Sequence, residues 1–146
     1  MSADEWCHTM DEFLGKQYVM VAHEHFDEYL VFLGLGYIYR KAAINLWPIH
    51  VLTRNEDGTY TFALKSKLAS SSCTFKLGET FEETRADGVK VEALIILEGN
   101  VMRHTQIDSN GKISTHIREF YPDKLVVTTT AAGFDKTVTR VFNLVK

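Results

Sequence analysis

The last apolar segment of the chain contains an arginine that strand alternation places among hydrophobic residues. In the stretch 137–145, Val138, Arg140, Phe142 and Leu144 share one side of a predicted strand. The more apolar side of a strand faces the core, and a buried guanidinium is costly unless an anion pairs with it. An inward Arg140 would therefore bind a carboxylate through charge-assisted hydrogen bonds. The alternative is an edge arginine that reaches solvent, and alternation alone does not choose between them.

Arg118 is a second candidate for an inward cation. It shares a face with His116 and Phe120, whereas Ile117 and Tyr121 lie on the opposite face. Both faces carry apolar residues, so the direction of Arg118 stays open at the level of sequence.

A glutamine on an earlier predicted strand adds a polar group to the same region. Met102, His104 and Gln106 share one face of that strand. We expect this face to point inward, which makes Gln106 a polar residue of the cavity wall. The alternative is a glutamine whose side chain is satisfied by the backbone.

The remaining reactive residues do not have the spacing of a catalytic or metal-binding motif. The sequence His23-Glu24-His25 contains ligand-like side chains, but its spacing is not HExxH and no third partner lies nearby. We expect roles at a strand end and a helix entry instead, with no bound metal or other cofactor. No Ser-His-Asp or Cys-His grouping follows from the spacing. We therefore do not expect an enzyme.

Turn signals divide most of the chain into short runs rich in Val, Ile, Thr, Phe and Tyr. Such runs at intervals of roughly ten residues are typical of an antiparallel sandwich or barrel. Asp-Gly and Asn-Gly pairs supply the left-handed conformations that tight hairpins need. The signals lie at 55–58, 86–88, 98–100, 108–111, 121–123 and 132–135.

One segment has helical rather than strand spacing. Phe26, Tyr29 and Leu33 recur at the interval of one helix face, and Gly34 then ends the predicted helix. A second short helix is predicted at about 38–45, before a proline that restricts its predecessor.

Composition favours one compact domain in the cytoplasm. The chain has 146 residues, of which 45% are hydrophobic, and no linker-like run divides it. The net charge of −3 is mixed along the chain, so we expect no nucleic-acid partner. The acidic start lacks the apolar run of a signal peptide, and no apolar stretch approaches the ~20 residues of a membrane span. Cys7 and Cys73 do not form a disulfide framework and are predicted to be free thiols.

Several segments occur together in the order found in a known family. The sequence resembles the fatty-acid-binding proteins, within the intracellular lipid-binding group that includes the cellular retinoid carriers. The resemblance covers about residues 13–146, and the set of segments is more specific than any one of them. The matching segments are Phe13–Lys16, Phe26–Leu30, Arg40–Lys41, Pro48, Phe75–Phe81, Asp123–Val127 and Thr139–Phe142.

The resemblance implies a mainly β fold, namely a ten-stranded antiparallel up-and-down β-barrel with a helix-turn-helix lid. It implies a single domain over 13–146, preceded by an arm over 1–12 that we expect to be flexible. It also implies a monomeric carrier that binds a long-chain fatty acid or a similar lipid without covalent chemistry.

The family's ligand carboxylate meets two inward arginines and a tyrosine. Arg118 and Arg140 fall on the arginine positions, whereas Phe142 occupies the tyrosine position. For a carboxylate ligand, the missing tyrosine hydroxyl would cost about 1 kcal/mol of binding free energy. The alternative is a ligand with a different head group, such as an amide or an alcohol. Leu68 falls where the family often has a portal phenylalanine. The predicted ligand-binding residues are Arg118, Arg140, Phe142, Gln106, Leu68, Tyr29 and Phe26.

The lid suggests how cargo is delivered, and the resemblance leaves related roles open. Val31 and Phe32 lie off the main buried face of the first helix and could contact a membrane or an acceptor protein; ordinary lid packing is the alternative. A retinoid carrier is the nearest alternative in ligand, because two arginines also suit retinoic acid. A lipid-signalling adaptor that delivers ligand to a nuclear receptor is the alternative in role, with a nuclear as well as cytoplasmic location. An extracellular lipocalin is disfavoured by the missing signal peptide and disulfides.

Overall fold

The computed structural model describes residues 9–67, 70–85 and 87–146. The first described element is a short 3-10 helix, Met10–Phe13, and strands and two α-helices follow it. In chain order they are β1 (Gln17–Glu24), α1 (Phe26–Phe32), α2 (Tyr37–Asn45), β2 (Ile49–Arg54), β3 (Tyr60–Lys65), β4 (Ser70–Phe75), β5 (Phe81–Thr84), β6 (Lys90–Glu98), β7 (Val101–Ile107), β8 (Ile113–Phe120), β9 (Lys124–Ala131) and β10 (Val138–Leu144).

The described strands form one antiparallel sheet that curls into a nearly closed barrel. The strand order is β4-β3-β2-β1-β10-β9-β8-β7-β6-β5. Chain neighbours are sheet neighbours throughout, apart from β4 and β5, and β1 pairs with β10 to join the two halves. β4 and β5 lie at the two edges of the sheet, which leaves a seam between them. The predicted mainly β, ten-stranded antiparallel barrel is confirmed.

Alternation along the strands fills the barrel interior. In β7 the buried residues are Met102, His104 and Gln106, as predicted. In β10 Arg140 and Phe142 are buried, which confirms the inward direction of that face. A strand with one buried and one wetter face has this period of two because successive side chains point to opposite sides.

The two helices lie between β1 and β2 and form the lid. α1 begins at Phe26 as predicted, and α2 begins one residue earlier than expected. Gly34 ends α1 with φ +86°, and its N–H donates to the carbonyl of Val31. Arg40 of α2 ties the helices together, because it donates to the carbonyl of Leu35 at 2.8 Å and to Asp27 at 3.0 Å.

The start of the described chain closes the barrel end opposite the lid. Phe13 is 1% exposed and stacks on Phe120, with ring centroids 6.1 Å apart. Met10 is buried in the core cluster as well, so this residue of the predicted arm packs on the barrel, whereas Thr9, Asp11 and Glu12 are exposed. The predicted flexibility of residues 1–8 lies outside the described residues. Neither helix in the described ranges is long and apolar enough to cross a membrane.

Candidate functional site

The two predicted arginines lie on the same inner wall of the barrel. Arg140 on β10 and Arg118 on β8 both oppose Val127 of the intervening strand β9. Strands in a sheet are about 4.8 Å apart, so the two backbone positions are separated by roughly twice that distance. The register therefore brings two guanidinium groups to one region of the interior, and the open direction of Arg118 is resolved inward.

Each guanidinium lies over an aromatic ring. The Arg118 Cζ atom is 4.3 Å from the centroid of Phe62, and the Arg140 Cζ atom is 4.8 Å from the centroid of Phe26. Cation–π contacts of this kind contribute about 0.5–2 kcal/mol, well below the cost of burying a charge. Among the described residues, the Nε atoms of both arginines have no hydrogen-bond partner.

Burial makes both cations less stable in their charged form. Burial lowers the pKa of Arg118 to about 10, against the opposing attraction of Glu83. Burial and repulsion from Arg118 lower the pKa of Arg140 further, to about 9. Arg140 is thus the less compensated of the two cations. A bound anion would relieve both.

A chain of directed hydrogen bonds connects Arg118 to an acid. Arg118 Nη1 lies 2.9 Å from His104 Nδ1, and His104 Nε2 lies 2.6 Å from Glu83 Oε1. Arginine can only donate, so His104 Nδ1 must accept and its Nε2–H donates to Glu83. His104 is therefore a neutral imidazole that bridges Arg118 and Glu83 through one hydrogen bond to each.

A second branch reaches the same carboxylate through Gln106. Its amide Nε2 donates to Glu83 Oε1 at 3.1 Å, so its carbonyl oxygen accepts from His116 Nε2 at 2.9 Å. Burial lowers the pKa of His116 well below its usual value, so the ring is neutral and its Nδ1 accepts from the Thr129 hydroxyl at 2.7 Å. Side chains satisfy Gln106, rather than the backbone that the alternative reading invoked.

Glu83 is the point on which both branches converge. Burial raises the pKa of its carboxyl, but the hydrogen bonds from His104 and Gln106 and the charge of Arg118 outweigh burial and leave the pKa lowered. Glu83 is therefore ionised at neutral pH. It offsets one of the two buried positive charges, so an excess positive charge remains on the wall beside Arg140.

Phe142 lies beside a buried histidine that sequence reasoning did not select. Phe142 is fully buried, and its ring centroid is 4.3 Å from that of His50 on β2. The segment Ile49–Arg54 begins with apolar residues on both faces, so alternation gave no signal that His50 points inward. Glu83 was missed because β5 has only four residues and its pattern of burial is weak.

The lid supplies the two remaining described residues of the predicted site. Phe26 and Tyr29 are buried on the inner face of α1, and the Tyr29 ring contacts Phe134 with centroids 5.8 Å apart. Leu68, the predicted portal residue, lies outside the described residues. The structure thus brings Phe26, Tyr29, Gln106, Arg118, Arg140 and Phe142 to the barrel interior.

A cavity of about 170 Å³ lies beside the lid and is partly lined by Phe32, Leu33 and Gln106. Sites for small molecules usually occupy about 300–1,000 Å³. The cavity is smaller than that range, and neither Arg118 nor Arg140 lines it.

The histidines flanking Glu24 take the local roles that were expected of them. His25 has φ +63° at the start of α1, and its Nδ1 lies 3.0 Å from Glu28. His23 packs edge-on against Phe26. Within residues 9–67, 70–85 and 87–146, no three or more potential ligand side chains cluster around a metal position.

Comparison with known proteins defines the class to which this barrel belongs. No protein-family model matches the sequence. The chain is 36% identical over 120 residues to a fatty acid-binding protein of Tyrophagus putrescentiae, which covers 82% of this chain and 90% of that protein. The structure of a Drosophila melanogaster brain fatty acid-binding protein is 36% identical, with a TM-score of 0.81 over 90% of this chain and 98% of that one.

A third relative extends the likeness to a ligand complex. The structure of a Schistosoma mansoni fatty acid binding protein in complex with arachidonic acid has a TM-score of 0.84 at 27% identity, covering 94% of this chain and 99% of that one. Likeness of this extent marks a ten-stranded lipid-binding barrel with a helical lid. The chain belongs to the fatty-acid-binding protein family, as its resemblance predicted.

Proposed function

We propose that the protein carries a long-chain fatty acid inside the barrel, with its carboxylate at Arg140 and Arg118, and that it acts as a cytoplasmic monomer rather than an enzyme. The observation that carries this proposal is the excess positive charge on a buried wall. Arg140 is 8% exposed, and its Nε has no partner among the described residues. A relative in complex with arachidonic acid supports the same class of ligand.

The alkyl chain and the carboxylate of the ligand contribute differently to binding. An alkyl chain gains about 0.8 kcal/mol for each buried CH₂, so affinity comes chiefly from apolar contact. The carboxylate sets the orientation and excludes ligands without an anionic end. Charge-assisted hydrogen bonds of this kind contribute about 1.5–3 kcal/mol each.

Calorimetric titration with palmitate tests the carboxylate site. Arg140→Leu and Arg118→Leu should each weaken binding, and Arg140→Leu should cost more because Arg118 already donates to His104. Arg103→Leu is the matched control, because Arg103 lies on the exposed face of β7. Unchanged affinity and enthalpy in both inward variants would refute the carboxylate model.

We further propose that the lid makes the transient contact through which cargo passes to membranes or acceptor proteins. Val31 is 53% exposed and Ile38 is 81% exposed, so apolar surface is available on both helices. Phe32 instead packs on Phe134, with centroids 5.1 Å apart. Of the predicted pair, Val31 is therefore the residue available for contact.

Transfer of a fluorescent fatty acid to vesicles tests this role of the lid. Val31→Ser combined with Ile38→Ser should slow transfer while leaving affinity unchanged. Val145→Ser is the control, because Val145 is 42% exposed and its N–H bonds Gln17 at the end of β1 remote from the lid. Equal transfer rates in all three proteins would exclude contact through these residues.

A further inference from the structure

His50 is a polar side chain that is buried in the barrel wall among apolar neighbours. It is 1% exposed and points inward from β2. Among the described residues, neither of its ring nitrogens has a hydrogen-bond partner. The other histidines of the interior, His104 and His116, have partners on both nitrogens. An unsatisfied buried polar group destabilises the fold, so we expect a ligand to supply the missing hydrogen-bond partner of His50.

Two aromatic rings fix the orientation of this imidazole. Phe62 meets it edge-on with centroids 5.2 Å apart, and Phe142 lies against it at 4.3 Å with an interplanar angle of 37°. The two phenyl rings accept no conventional hydrogen bond. The nitrogens of His50 are therefore held in a fixed orientation without a hydrogen-bond partner. Phe62 also carries the guanidinium of Arg118 over its ring. The imidazole and that cation thus share one aromatic neighbour.

The protonation state of His50 follows from its surroundings. Burial lowers its pKa well below 6.5, and the charges of Arg140 and Arg118 lower it further. The contacts agree: Arg118 shares the Phe62 ring with His50, and Arg140 lies two residues before the contacting Phe142 on the same face of β10. At neutral pH the ring is a neutral imidazole, with one N–H donor and one acceptor nitrogen.

We propose that His50 donates a hydrogen bond to the ligand carboxylate held by Arg140, in the position left without a hydroxyl by Phe142. The proposal rests on the proposed function and adds a third polar contact to the same head group. It assigns the role to a different strand, because His50 lies on β2 whereas Phe142 lies on β10. Phe142 then contributes its ring face, which holds the imidazole in place.

The head group that this arrangement selects is an anion. Two guanidinium groups and one N–H all donate, and a carboxylate offers about four acceptor positions. A fatty alcohol brings a hydroxyl whose oxygen can accept hydrogen bonds but carries no negative charge, so it would leave the excess positive charge beside Arg140 without a counter-charge. Removal of His50 should therefore weaken binding of the acid more than binding of the alcohol.

The test compares His50→Leu, His50→Asn and His50→Gln by calorimetry with palmitic acid and with hexadecanol. Asn presents an amide N–H near the Nδ1 position, and Gln presents one near the Nε2 position. His50→Leu should weaken palmitate binding about tenfold, from the loss of one hydrogen bond to a charged group, and should change hexadecanol binding by less than about threefold. One of the amide variants should recover most of the loss and so identify the donating nitrogen.

A second variant separates a lost hydrogen bond from a disturbed cavity. In the His50→Leu protein, Phe142→Tyr should restore palmitate affinity by supplying a hydroxyl beside the same site. The carboxyl resonance of palmitate labelled with ¹³C at that carbon should shift in His50→Leu and return towards its original value in the double variant.

The outcomes distinguish this proposal from the one on which it rests. Tight palmitate binding by the natural protein with no change in His50→Leu would overturn the role of His50 and leave the carrier function intact. Equal losses for palmitate and hexadecanol, without recovery in Phe142→Tyr, would also overturn it, because His50 would then only shape the cavity. Failure of the natural protein to bind palmitate would overturn both proposals.

Discussion

Replacing Arg140 by methionine should make the unliganded protein more stable while it impairs ligand binding. Burial and repulsion from Arg118 lower the pKa of Arg140 from its ordinary value to about 9. A shift of that size corresponds to about 5 kcal/mol at 1.36 kcal/mol for each unit, which is an upper bound on the cost of the buried charge. The cation–π contact with Phe26 offsets up to about 2 kcal/mol of that cost. We expect Arg140→Met to raise the free energy of unfolding by about 1–3 kcal/mol, within the range found when buried charges are replaced by apolar residues.

The same substitution should lose most of its stability advantage when fatty acid is present. A ligand at one hundred times its Kd stabilises the folded state by about 2.7 kcal/mol. If Arg140→Met weakens binding about 100-fold, the same ligand concentration stabilises the variant by only about 0.4 kcal/mol. The advantage of the variant should therefore shrink or disappear in saturating palmitate.

Urea denaturation with and without palmitate measures both effects. Arg103→Met is the control for the chemical change, because Arg103 is exposed and its replacement should change stability by no more than about 0.5 kcal/mol. If Arg140→Met lowers the stability of the unliganded protein by 1 kcal/mol or more, Arg140 has a stabilising partner and the reasoning is wrong.

Three further predictions concern the network, the thiol and the lid. Glu83→Gln should lower stability by about 1–3 kcal/mol at pH 7. The pKa of Glu83 in the folded protein lies below its ordinary value, so its contribution is lost as pH falls through that folded pKa, and the two proteins should converge in acid denaturation. Burial, and then the charge of Glu83, raise the pKa of Cys73 to about 11. In a Cys7→Ser protein, its thiolate fraction at pH 7.5 should therefore be roughly 300-fold smaller than that of a free thiol near pKa 8.5, and its alkylation should be slower in proportion. A normal alkylation rate by mass spectrometry would contradict the raised pKa. Phe134→Ala removes the ring that contacts Phe32 of the lid, so stopped-flow measurements should show faster palmitate release, and an unchanged rate would mean that this contact does not hold the lid closed.

Local patterns predicted the elements of the fold but not all directions of side chains. Helical spacing located α1 from Phe26, and alternation placed Arg140 on the more apolar face of β10, because each signal depends on residues near in sequence. Arg118 was ambiguous because β8 carries apolar residues on both faces. Its direction was resolved by pairing with β7 and β9, which a single strand does not encode.

The polar network escaped sequence reasoning for a related reason. Glu83 and His104 are 21 residues apart, and they meet because β5 and β7 both flank β6. Neither residue has a local motif that marks the other as its partner. His50 was hidden in the same way, since its neighbour Phe142 lies on a strand that reaches it only through closure of the barrel at β1 and β10.

The position of Glu83 has a consequence for how the site is controlled. The carboxylate that balances Arg118 belongs to β5, a four-residue strand at the sheet edge whose strand partner is β6. A short edge strand opens locally at a lower free energy than the strands paired on both sides. Separation of β5 from β6 would move the Glu83 carboxylate away from His104 and Gln106, and so away from Arg118, without requiring α1 or α2 to move. In the proposed carrier, the acyl chain passes at the lid whereas β5 holds the counter-charge of Arg118. A substitution in β5 should therefore alter how long the ligand is retained without altering the route by which it enters.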